Sequence, residues 1–322
     1  MAHTYRHASS ERVVRMIDQQ LPTGDEVFLD HVGYFVTDLE HAGARLTRLG
    51  FDLSPISLQQ NAGETGALRP SGTSNRLAVL RRGFIEILAA THDTPLADQL
   101  KNAVARYEGL HLIALSHADI PAERERLVAA GFPMQAIVHL RRHKQTPDGL
   151  REVAWSVLRP QPGAMPEGRV QFAYCHTPDL TWMPGAPALA NGADGITDIL
   201  LCVADRHESA ARFARYAGRP AMERGDASVI ALDRGGIVLI EPKDAAGVLP
   251  DFDMPDVPFM AGQALRSTDI AATRRVLKEH GVTPLYADNE LVCIGPADAL
   301  GAALLFHAAS VNDPWSALAM RR

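Results

Sequence analysis

Glu86 stands in the run GFIEIL, flanked by Phe84, Ile85, Ile87 and Leu88. An ionised carboxylate within an apolar strand is costly unless paired or bound to a metal, so Glu86 either does chemistry or faces water from a half-buried strand. Two imidazoles occupy matching places, His31 opening HVGYFV and His111 opening HLIALS. Imidazole ligates metals and moves protons near neutral pH. Either histidine alone reads as an ordinary strand-edge residue; its recurrence at the head of two apolar runs favours the chemical reading. Cys175, Cys202 and Cys293 match no zinc spacing and cannot all pair, which points to a reducing compartment, the cytoplasm. His139 and His143, in the basic run HLRRHK, read as an exposed strand end or loop. No Walker loop, G-x-S-x-G elbow or dinucleotide fingerprint is present, and GRPAMERG lacks the glycine spacing such a fingerprint needs.

The chain that must position these groups has 322 residues, 46% hydrophobic and 22% charged, the composition of a globular protein long enough for two domains. With Lys+Arg 32 against Asp+Glu 38, its net charge of −6 provides no field for general nucleic-acid binding. The opening residues carry no apolar signal core and no apolar run approaches a membrane-spanning length, so neither secretion nor a membrane partner is expected.

The sequence repeats itself. HVGYFVTDLEHAGARLTRLGF, HLIALSHADIPAERERLVAAGF, DILLCVADRHESAARFARYAG and ALRSTDIAATRRVLKEHGV share one grammar: an apolar run, an Asp, an amphipathic helix, then Gly. The Asp-to-Gly pairs are Asp38 and Gly50, Asp119 and Gly131, Asp205 and Gly218, and Asp269 and Gly281. Asp caps a helix start and suits the positive end of its dipole, and Gly accepts the left-handed conformation that ends it. β-rich runs follow each helix, for example Arg76–Leu80 and Gly83–Leu88 after the first. Each unit is therefore β-α followed by about three strands, and such units must pair to cover their sheets. The reading is α+β: four βαβββ modules in two paired, cup-shaped mixed-sheet domains. Residues 1–27 form an N-terminal extension with one helix (Ser10 to Gln20), 28–183 the first domain, 184–194 a linker rich in Pro, Gly and Ala, 195–310 the second domain and 311–322 a tail.

Paired βαβββ units with His at the head of a first strand and Glu in a last strand resemble the vicinal oxygen chelate superfamily, the fold of glyoxalase I, extradiol dioxygenases and bleomycin- and fosfomycin-resistance proteins. GTSNRLAVLRRGFIEIL, following LDHVGYFVTDLEHA, is most similar to its glyoxalase-like domain branch, and the resemblance spans roughly residues 28 to 310. It implies metal ligands converging inside a cup: His31, Glu86 and His111, with Gln171 or His176 in the fourth place. That set would suit Zn, Ni, Mn or Fe(II) and leave positions open to two adjacent substrate oxygens. Glu86, Gln171 or His176 would serve catalysis, and Asn75, Arg76 and Tyr174 would bind substrate. The corresponding positions of the second pair (Asp198, Leu239, Ala261 or Gln263, and Leu304) suit a metal poorly, implying a degenerate pair. The implied function is a metal-dependent lyase or isomerase acting on a small molecule. An Fe(II) extradiol-type dioxygenase and a non-catalytic small-molecule binder of the resistance type are the alternatives. Cups would form within one chain or across a homodimer.

Overall fold

The computed structural model describes residues 19–62, 68–146, 149–183, 188–249, 252 and 254–321; the expected helix from Ser10 falls almost wholly outside them. The first unit is β1 (Phe28–Phe35), α1 (Leu39–Arg48), β2 (Ser57–Ala62), β3 (Leu68–Val79) and β4 (Phe84–Ala90). After a connecting helix α2 (Pro95–Arg106) come β5 (Gly109–Ser116), α3 (Ile120–Ala129), β6 (Val138–Thr146), β7 (Gly149–Leu158) and β8 (Arg169–Cys175), then the short α4 (Pro178–Thr181). The third unit is β9 (Ala193–Cys202), α5 (Arg206–Ala217), β10 (Ala221–Arg224), β11 (Ala227–Ala231) and β12 (Gly236–Ile240), followed by α6 (Pro242–Val248). The fourth is β13 (Phe259–Ser267), α7 (Ile270–Glu279), β14 (Tyr286–Ala287), β15 (Leu291–Ile294) and β16 (Ala303–Ala308), and α8 (Pro314–Met320) closes the chain.

The helix grammar is realised in atoms. The Asp38 carboxylate accepts from the backbone N–H groups of Glu40 and His41, and Asp119, Asp205 and Asp269 cap α3, α5 and α7 in the same way. Gly50, Gly131, Gly218 and Gly281 take φ of 83°, 88°, 63° and 65°, where a Cβ would be strained. Leu39, Ala42 and Leu46 put the apolar stripe of α1 into the core. Helix α2, absent from the repeat, has its own start signal: Thr94 accepts from the Ala97 N–H and Pro95 sits in the first turn.

Sheet topology makes the N-terminal half a ring. Strands run β1-β4-β3-β2-β6-β7-β8-β5, and β5 pairs antiparallel with β1, closing the circle within one chain. The seam between the modules at β2 and β6 is a single pairing, Asn61 with Leu140. The C-terminal half has the order β10-β11-β12-β9-β13-β16-β15-β14, with no pairing among the described residues between its outer strands β10 and β14.

That second cup is filled by the chain's own end. Residues 311–322, expected as a tail, contain α8, whose Trp315 and Leu318 are buried against Leu200, Val238, Phe259 and Leu305. Gly262 admits the indole, since a Cβ there would meet the ring at 2.8 Å. Leu239 and Leu304 lie instead in the core shared with the N-terminal half. The halves are further joined by the Arg82 backbone N–H, which donates to the Asp194 carbonyl at 2.9 Å, and by a 2.9 Å bond from the buried Gln263 amide to the Tyr34 hydroxyl. Trp315→Ala should destabilise the protein by about 3–5 kcal/mol in urea unfolding, the range for emptying a buried aromatic site. A loss under about 1 kcal/mol would show that the second cup does not depend on this plug.

Candidate functional site

Strand alternation decides which side chains enter the ring. On β4 the inward set is Phe84, Glu86 and Leu88; on β3, Ser71, Asn75 and Leu77; on β7, Val153, Trp155 and Val157, with Arg159 just past its end; on β8, Arg169, Gln171 and Ala173. With His31 from β1, Gln59 from β2 and Arg142 from β6, they enclose a narrow cavity of about 100 Å³.

Glu86 is buried, and one of its oxygens accepts from the Asn75 amide at 2.6 Å and the Gln59 amide at 3.0 Å. Four arginines line the cavity with it; Arg141 pairs with Glu152, which leaves three guanidinium groups without a carboxylate of their own beside Glu86. Arg159 donates to the Gln171 side-chain oxygen at 2.8 Å and Arg142 donates to the Ser57 hydroxyl at 2.5 Å. Arg169 lies 4.9 Å over the Phe35 ring. Burial pushes the Arg169 pKa down to about 9, the Arg159 charge acts in the same direction, and Glu86 opposes both. Arg159 and Arg142 are likewise lowered by burial and held up by Glu86. One buried acceptor, Asn75 Oδ1, has no partner. The cavity thus has an excess of positive charge, several free donors and one orphaned acceptor.

His31 also lines the cavity, stacked on Phe84 at 4.2 Å with Trp155 edge-on at 6.1 Å. Its Nδ1 is 2.6 Å from Asp30 Oδ1, and Asp30 is fully buried. The β1–β5 register shifts between Leu29 and His31, so Asp30 is a bulged residue rather than a regular alternating one.

His111 does not join this group. The register shifts again between Gly33, opposite Leu112, and Tyr34, opposite Leu110, leaving His111 at the irregularity while Leu112 takes the inward place. The imidazole packs between Tyr107 (4.0 Å) and Phe35 (5.3 Å), and Nε2 meets the Tyr107 carbonyl at 2.8 Å. It lines a neighbouring cleft and not the ring cavity. Among the described residues no three His, Cys, Asp or Glu side chains gather in a way that could hold a metal ion. The donor set His31, Glu86 and His111 therefore does not fit a metal centre as placed.

Of the other expected site residues, Gln171 and Asn75 face the cavity and three do not. Arg76 points to the helix side of its strand, with Nε donating to the Ser54 carbonyl and Nη1 2.9 Å from Glu40. Tyr174 alternates outward from Ala173, and the exposed His176 stands beside it with Nε2 2.8 Å from the Ser156 hydroxyl. Burial and then the nearby His139 lower the His176 pKa. Arg142, Arg159, Arg169, Gln59 and Trp155 were not singled out from sequence. Extending the alternation from Gln171 to Arg169, and from Trp155 to Arg159, would have placed two of the arginines inward.

Residues 29–217 match the family described as glyoxalase-like domain. The chain belongs to that family. Similar solved structures include a hypothetical protein from Staphylococcus aureus (12% identity, 88% of this chain and 99% of that one, TM-score 0.60). A variant of 4-hydroxymandelate synthase from Streptomyces coelicolor aligns at 16% identity over 91% of this chain and 96% of that one, TM-score 0.54. The Mn(II)-bound glyoxalase from Novosphingobium aromaticivorans aligns at 12% identity, 91% and 84% coverage, and TM-score 0.52. At these identities the likeness is one of fold, the mixed α+β architecture of the vicinal oxygen chelate superfamily. No curated protein matches the sequence. No helix among the described residues of this glyoxalase-like protein is long and apolar enough to cross a membrane.

Burial pulls two imidazoles well below their ordinary value of 6.5: His111 and His307 both fall to about 4, with backbone carbonyl contacts opposing the shift. The unfolded chain then takes up protons that the native state refuses, so this contribution to stability is complete above about pH 6.5 and is lost as pH falls toward 4. Urea midpoints should fall between pH 7 and pH 5, and His307→Gln should make that fall shallower. An unchanged slope in the variant would contradict the assignment.

Proposed function

We propose that this glyoxalase-like protein binds a small hydroxy- or oxo-carboxylate inside its N-terminal ring. The observation that carries the reading is the placement of Arg142, Arg159 and Arg169 against the single carboxylate of Glu86 in one narrow cavity. Burying unmatched guanidinium charge is unfavourable, and a bound carboxylate relieves it while matching the planar donor fork. The orphaned Asn75 Oδ1 calls for a donor, which a ligand hydroxyl supplies. Phe84, Trp155 and Leu112 offer the ligand's remaining carbon skeleton an apolar wall. A cavity of about 100 Å³ favours a compact ligand. This is the small-molecule-binding alternative of the family's range, and it is favoured over the metal-dependent lyase or isomerase and the Fe(II) dioxygenase because His111 is held outside the cavity.

One observation favours proton-transfer chemistry as a second reading. The bond to Asp30 fixes the His31 ring beside the cavity, the arrangement that orients a histidine as a general base. The reaction would be of lyase or isomerase type on a carbon next to the carboxylate, carried by side chains alone.

Titrating small 2-hydroxy and 2-oxo acids against the fluorescence of Trp155, which lines the cavity, tests the first reading. Saturable binding should persist in EDTA and weaken by tenfold or more in Arg169→Met, in line with the ~1.5–3 kcal/mol of a hydrogen bond to a charged group. Binding that prefers the neutral amides, or that is unmoved in both Arg169→Met and Arg159→Met with their thermal transitions intact, would overturn it. For the second reading, His31→Gln should abolish turnover of any acid that reacts while leaving its binding within about threefold. Turnover retained in that variant would refute the base.

A further inference from the structure

Beside the ring cavity lies a cleft of about 300 Å³ between α2 and the loop that joins β7 to β8. The two cavities share Arg159 and Arg169 as lining residues. Arg106, from the end of α2, adds a third guanidinium and is anchored by a 2.9 Å bond to the Pro258 carbonyl. The remaining polar lining is neutral: Gln99 and Asn102 from α2, Gln135, Gln161 and His111. His111 belongs with the neutral groups because burial holds its pKa near 4.

The charge pattern is unusual for this chain. Asp and Glu number 38 against 32 Lys and Arg, yet no Asp or Glu among the described residues lines the cleft. Arg169 makes no hydrogen bond or ion pair with any described residue, and its guanidinium lies over the Phe35 ring. Amide side chains and guanidinium groups are donors suited to an oxyanion, and a site with three cations and no acid selects for multiple negative charge. Gly168 allows the loop to lie close to β5, since a Cβ there would meet the His111 carbonyl at 2.7 Å.

We propose that this cleft is a second ligand site, for a multiply charged oxyanion such as a phosphate monoester or a polycarboxylate. It opens beside the ring cavity and shares Arg159 and Arg169 with it, so an anion in either place engages the same two guanidinium groups. Its walls come from α2 and the β7–β8 loop, with Arg159 and Arg169 as its floor.

The test is isothermal titration of the full chain with inorganic phosphate and, separately, with citrate, using chloride as reference. Saturable binding at least tenfold tighter than chloride is expected for one of the two, and which one identifies the oxyanion class. Gln99 and Asn102 are exposed on α2, so Q99E/N102D adds two negative charges at the rim without touching the core. That double variant should keep its circular dichroism and weaken binding at least fivefold. Absence of saturable binding, or binding that Q99E/N102D leaves unchanged, overturns the proposal. The second outcome would put the anion elsewhere, the ring included. Failure here leaves the 2-hydroxy and 2-oxo acid titration of the ring intact as a separate question.

Discussion

Three guanidinium groups held close together beside one carboxylate set the terms for the rest of this molecule. Like charges in a partly desolvated cavity repel, and each loses water that the protein must replace. Glu86 opposes that repulsion, and its position is fixed by the Asn75 and Gln59 amides on the neighbouring strands. Gln171 orients Arg159, and the Phe35 ring supports Arg169. No other described carboxylate lines the cavity to offset the positive excess that remains.

Holding such a cluster requires a stiff enclosure. Closing eight strands into a ring, with a single residue pair joining β2 to β6, makes inward positions of β3, β4, β7 and β8 converge. The C-terminal pair does not repeat this cavity. Its cup is packed by Trp315 and Leu318, and its outer strands β10 and β14 remain apart. One half is therefore a container and the other a buttress, joined through a common core and through Arg82 and Asp194.

Much of this was legible in the sequence because it is local. Asp38, Asp119, Asp205 and Asp269 announced four helix starts, their partner glycines the ends, and the β-rich runs after them the strands. The inward direction of Glu86, Asn75 and Gln171 follows from alternation once one residue in each strand is placed. What failed is non-local. Two register shifts in the β1–β5 pairing put His111 in the neighbouring cleft and bring Asp30 against His31, and nothing in HLIALS or LDHVGY signals a bulge. Arg76 and Tyr174 fell on the outward parity of strands whose neighbours point in. The arginines escaped attention because single cations in strands usually mark exposed faces; only ring closure brings positions 142, 159 and 169 together.

The family resemblance led to the expectation of an ion between His31, Glu86 and His111, whereas the geometry leads to an organic anion against arginine. Both can be seen in one experiment: an anomalous-scattering map from crystals grown with Mn(II) and a small 2-hydroxy acid. The account predicts the acid's carboxylate within hydrogen-bond distance of Arg159 or Arg169, and His111 still on the Tyr107 carbonyl. An anomalous peak bonded to both His31 and His111, with the second imidazole turned into the ring, would contradict it.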